Sequence, residues 1–93
     1  MTEVGLKFTG DVRTCMGADR MDFTFEGATL GELLEALFSR YDLRRLILDQ
    51  DGHVRPYSRL LVNGRFSYLL GDLEAPIRDG DLIVFARPYV VAF

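Results

Sequence analysis

Ala28-Thr-Leu-Gly-Glu-Leu-Leu-Glu-Ala-Leu-Phe-Ser-Arg-Tyr41 is the one long stretch whose pattern allows a single reading. Leu30, Leu33, Leu34, Leu37, Phe38 and Tyr41 recur at helical spacing, with Glu32, Glu35, Ala36, Ser39 and Arg40 on the other side. Thr29 followed three residues later by Glu32 is a capping box. Its hydroxyl accepts the Glu32 N–H, and the carboxylate is expected to reach back to the Thr29 N–H. An apolar stripe this wide must be buried, and strand-like segments on both sides of the helix offer a sheet to bury it against.

Before the helix, Val4, Leu6 and Phe8 alternate with Gly5, Lys7 and Thr9 and predict a first strand. Gly10 to Arg20 reads as a connection, and Met21, Phe23 and Phe25 alternate with polar residues as a second strand, paired with the first as a hairpin. After the helix, Asp42 precedes Leu43 to Leu48, a short second helix ended by the turn Asp49 to Gly52. Tyr57 to Val62 is rich in strand formers, and Asn63-Gly64 is a strong hairpin signal that returns the chain as a strand over Arg65 to Leu69. Gly71 to Gly80 reads as a loop, and Leu82 to Ala86 is a last strand apolar on both faces. This order predicts an α+β, ubiquitin-like β-grasp fold: a mixed sheet with one main helix across one face and a short second helix. Residues 1–93 form a single domain in this reading.

At 93 residues the chain can bury one core, and its 48% hydrophobic content excludes a disordered protein. A net charge of −3 with interspersed signs gives no basic patch for nucleic acid, and no apolar run is long enough to span a membrane. Cys15 stands alone, so neither an internal disulfide nor a cysteine-based metal site is expected, in keeping with a reducing, cytoplasmic setting. His53 reads as a solvated turn histidine, Cys15 as a partly buried structural thiol, and the Asp49/Asp51 and Asp79/Asp81 pairs as turn-stabilising carboxylates. No catalytic constellation, metal site or cofactor site is expected.

Phe8, Val12-Arg13, Gly17, the helix opening Thr29-Leu-Gly-Glu-Leu-Leu34, the strand end Val62-Asn-Gly64 and the block Pro76-Ile-Arg-Asp-Gly-Asp81 together form a wider pattern. Over roughly residues 4 to 88 the chain resembles the ubiquitin-like sulfur carriers of the MoaD/ThiS family, especially the small subunit of molybdopterin synthase. The resemblance implies a β-grasp fold, a non-catalytic role and a link to molybdenum or tungsten cofactor metabolism. It also implies a C-terminal Gly-Gly whose carboxylate is adenylated and converted to a thiocarboxylate. Here Val91 and Ala92 occupy those positions, with Phe93 beyond, and no Gly-Gly dipeptide occurs in the 93 residues. The apolar tail over residues 87–93 therefore replaces the family's Gly-Gly tail.

Alternation sends Leu61, Leu82, Val84 and Ala86 to the sheet face away from the helix, where a small domain meets water. The resemblance makes that face protein-binding, with large apolar residues at positions aligned with Thr9, Phe66 and Ala86, of which only Phe66 keeps that character. The expected partner-binding face is thus Leu61, Phe66, Leu82, Val84 and Ala86, joined by the tail residues Tyr89, Val90, Val91 and Phe93. Its occupant is a protein resembling the family's large subunit or activating enzyme, a second copy of this chain, or the tail itself folded back. The functional expectation is an interaction module that has lost the carrier end. The alternative is a sulfur carrier with an atypical C-terminus.

Overall fold

A computed structural model describes residues 1–55 and 58–86 of the chain. Its central helix, α2 (Leu30–Phe38), starts where the capping box places it. Thr29 Oγ1 accepts the Glu32 N–H at 3.2 Å. The Glu32 carboxylate accepts the N–H of Ala28 at 3.1 Å and the Thr29 hydroxyl at 3.1 Å, and the expected Thr29 N–H adds a weaker bond to it. The helix stops at Phe38, short of the expected Tyr41, where the Ser39 hydroxyl donates to the Ala36 carbonyl at 2.7 Å and competes with further helical bonding.

The sheet facing α2 has five strands in the order β2-β1-β5-β3-β4. β1 (Thr2–Phe8) pairs antiparallel with β2 (Arg20–Phe25), in a register running from Thr2 opposite Phe25 to Lys7 opposite Arg20. β5 (Leu82–Ala86) lies parallel to β1 and antiparallel to β3 (Arg59–Val62). β3 turns through Asn63 and Gly64, both at positive φ (51° and 84°), into β4 (Arg65–Phe66). Two positive φ values are what the favoured two-residue hairpin turn requires. The inward positions predicted from alternation, Val4, Leu6, Phe8, Leu60, Val62, Ile83 and Phe85, are all buried with the leucines of α2 in one core. The rings of Phe8 and Phe85 meet across the parallel pair with centroids 5.3 Å apart.

The segments read as loops contain more structure than expected. Gly10 to Met16 is a helix, α1, which buries Val12 and ends at Gly17 in the left-handed conformation (φ 71°). The second short helix, α3 (Arg44–Ile47), lies inside its predicted span with Leu43 at the N-cap position. The strand expected to run from Arg65 to Leu69 ends at Phe66 and gives way to a 3-10 turn, Ser67–Leu69. A second 3-10 turn, Asp72–Glu74, packs on α2 so closely that a Cβ on Gly31 would lie 3.1 Å from the Leu73 carbonyl oxygen. The segment after it is tied to the helix start by the Leu30 N–H donating to the Ala75 carbonyl (2.9 Å) and the Ile77 N–H donating to that of Ala28 (2.8 Å). Ala75 and Ile77 thereby become core residues. Among the described residues no helix is long and apolar enough to cross a membrane.

Candidate partner-binding face

Because side chains alternate along a strand, the positions between the buried ones form the opposite sheet face. Cross-strand register sets Lys7 beside Val84, Val84 beside Leu61, and Leu61 beside Phe66, one row spanning four strands. Ala86 pairs with Arg59 on one flank of this row, and Leu82 with Gly5 on the other. Directly opposite residues of antiparallel strands have their Cβ atoms about 5 Å apart, which puts Val84, Leu61 and Phe66 within reach of one another. Gly5 contributes to its shape: the Leu82 Cδ1 lies only 3.4 Å from where a Cβ on Gly5 would stand.

Leu82 is 43% exposed, while Leu61, Phe66, Val84 and Ala86 are half-buried. All of the sheet residues expected for the partner face thus fall on one side, away from α2. Tyr89, Val90, Val91 and Phe93 lie outside the described residues, as does the start of the strand expected from Tyr57. Tyr68, which sequence reasoning passed over, extends the surface at 62% exposure, and Leu69 in the same turn is 68% exposed. Read as a strand, that segment would have turned alternate residues inward; the 3-10 turn sets both of these outward. Tyr68 stacks on Phe66 with ring centroids 5.4 Å apart and planes 14° from parallel, and the Arg59 guanidinium sits 5.7 Å from the Phe66 ring centroid. Lys7, opposite Arg20 on β2, and Arg59 give the row cationic ends.

The other candidates resolve differently. Cys15 is exposed rather than partly buried, its Sγ 3.7 Å from the Asp42 carbonyl oxygen, because α1 turns its other side, with Val12, to the core. The backbone turn brings Asp49, Asp51 and His53 together, with a ligand atom from each within 4.8 Å of the others, a proximity that linear spacing had not suggested. Asp49 Oδ1 already accepts the N–H groups of Asp51 (2.9 Å) and His53 (3.0 Å). Those bonds, that of His53 first, hold its carboxyl below the usual aspartate range. Its turn-stabilising role is as expected. On β5's other flank, Asp81 does similar work, its Oδ1 accepting from the Asn63 amide at 2.9 Å and its Oδ2 from the Arg78 N–H at 2.8 Å.

A parallel pair of strands at the centre of a mixed sheet, crossed by one main helix, defines a ubiquitin-like β-grasp protein. The family model described as "ThiS family" matches residues 6–89, and the chain belongs to that family. It is 30% identical over 87 residues to small archaeal modifier protein 3 of Haloferax volcanii, covering 92% of this chain and 95% of that one. The crystal structure of SAMP1 from Haloferax volcanii is similar in fold, with a TM-score of 0.81 at 22% identity, over 97% of this chain and 99% of that one. So is a putative molybdopterin converting factor, subunit 1, from Pyrococcus furiosus, with a TM-score of 0.72 at 22% identity over 96% and 100% of the two chains.

Proposed function

We propose that this chain is a non-catalytic protein-interaction module of the ThiS/MoaD family, docking on a protein partner through the sheet face formed by Leu61, Phe66, Leu82, Val84 and Ala86. The observation that carries this reading is the unbroken row Val84–Leu61–Phe66 on the side away from α2, widened by exposed Leu82 and by Tyr68 stacked on Phe66. A contiguous apolar surface with a polar rim is the usual composition of a protein interface. Lys7, Arg20 and Arg59 favour acidic groups of a partner at those parts of the rim, and exposed Asp22, opposite Gly5 on the Leu82 flank, favours a basic one there. The partner in this reading is a protein of the large-subunit or activating-enzyme kind in a cytoplasmic setting, and the motif resemblance supports a link to molybdenum or tungsten cofactor metabolism.

The test compares wild type with Leu61→Asp and Val84→Asp by capture from the native lysate and by light scattering after size exclusion. Each variant is expected to remain folded and to lose the partner that wild type retains. If both variants still bind everything that wild type binds, the face is not the docking surface. A dimer mass for wild type that the variants lose would make a second copy the occupant. Family membership supports a second reading, a sulfur carrier with an atypical C-terminus. Intact mass of the protein from its own cells decides that one, a sulfur-for-oxygen shift at the C-terminus being the positive result.

A further inference from the structure

β2 is an edge of the sheet, and one side of its backbone faces no other strand among the described residues. The phase of the hydrogen bonds tells which residues open onto that side. The Phe8 N–H donates to the Asp19 carbonyl at 2.9 Å, whereas the N–H groups of Gly5 and Thr9 turn the other way, to Asp81 (2.9 Å) and Phe85 (3.1 Å). Bonding alternates along an antiparallel pair, so Met21, Phe23 and Phe25 direct their N–H and C=O groups at β1. Those of Arg20, Asp22 and Thr24 point outward and meet no backbone partner among the described residues.

Proteins guard such edges with proline, a bulge or repelling charge. β2 contains no proline, and its register with β1 runs without a bulge. Its exposed charges have opposite signs, Arg20 and Asp22, and neither makes an ion pair with a described residue. Lys7 stands opposite Arg20 and adds positive charge beside it, while Gly5, opposite Asp22, offers that carboxylate no side chain. A cationic position and a carboxylate two residues apart, both without a counter-charge, suit a strand carrying the same two charges in reverse order. A second copy of this chain supplies that strand.

We infer that two copies pair antiparallel through β2 about a two-fold axis at Met21. Arg20 of each copy then stands opposite Asp22 of the other, with reciprocal backbone bonds and an ion pair at both places. Met21, half-buried against the core, meets its own counterpart on the α2 side. Sliding the strands by two residues in either direction would set Asp22 against Asp22 or Arg20 against Arg20, so charge selects this register. So few residues place the contact at the small, reversible end of protein interfaces. Leu61, Phe66 and Val84 take no part in it, and the inference stands apart from the docking face proposed above.

Sedimentation velocity of the full chain at concentrations rising into the millimolar range should show a reversible equilibrium between monomer and dimer, stronger at low salt. Arg20→Asp and Asp22→Arg should each weaken it about tenfold, because each sets like charges opposite one another at both places. An equimolar mixture of these two variants should dimerise again, since each contact then joins an aspartate to an arginine. Both positions are exposed on the edge, so the variants keep the wild-type urea midpoint. Amide exchange at Arg20 and Asp22 should slow as wild-type concentration rises, and Leu61→Asp should dimerise as wild type does. A chain that stays monomeric, a dimer lost in Leu61→Asp, or single variants that the mixture does not restore would overturn the proposal.

Discussion

Glu32 is exposed, yet it organises the entry to α2 by accepting from the Ala28 N–H and the Thr29 hydroxyl. These bonds, that of Ala28 first, hold its carboxyl below its ordinary value of 4.5. A carboxyl whose folded pKa is depressed stabilises the protein above its unfolded pKa, and that contribution is lost as pH falls through the folded value. Glu32→Gln should therefore flatten the acid limb of stability, read from urea midpoints between about pH 5 and about pH 3; Asp49 would leave part of the slope in place. Thr29→Ala, which removes the acceptor of the Glu32 N–H, is expected to lower stability by about 1 kcal/mol at neutral pH. The Thr29–Glu32 box was legible because its geometry follows from spacing alone. In the sequence Gly27 marks only the end of the Met21–Phe25 alternation; at φ 147° a Cβ there would lie 2.7 Å from the Glu32 Cβ, a closeness that depends on how the folded chain arrives. Gly27→Ala should cost about 1–3 kcal/mol in the same urea assay.

Helix α2 meets the sheet through Leu30, Leu33, Leu34 and Leu37, each at most 1% exposed. Leu33→Ala is expected to cost about 2–5 kcal/mol, since the surrounding strands and turns cannot collapse fully into the void. Leu82→Ala, on the exposed face, should stay within about 0.5 kcal/mol, and the contrast is measured by paired urea melts. Periodicity identified α2, β1 and β2 because each repeats its apolar position more than once, while strand-forming composition identified β3 and an apolar run β5. The short elements offer nothing to repeat. α1 buries Val12 alone, so its seven residues looked like a connection, and the Asp72–Glu74 turn buries none of its own residues. Its value lies in delivering Ala75 and Ile77 to the core, a tertiary effect with no local signature.

At the scale of the molecule, β5 is the element that joins the two halves of the sequence, lying between β1 from the start of the chain and β3 from its later part. The outer face has the same composite origin: alternation told which residues leave the core, but the row Val84–Leu61–Phe66 exists only once β5 sits between β1 and β3. Nothing in the local pattern announced that Tyr68 would join it, because the turn replaces a strand that the residue types alone favoured. A sheet held together this way should not survive loss of its centre. Removing residues from Leu82 onward would strip β1 and β3 of their shared neighbour, take Ile83 and Phe85 out of the core, and leave Phe8 without its aromatic partner. The expected result is a chain without dispersed amide resonances or a cooperative urea transition. Slow amide exchange persisting along β1 in that truncated chain would show instead that β1, β2 and α2 form a core by themselves, with the parallel pairing added to a structure already made.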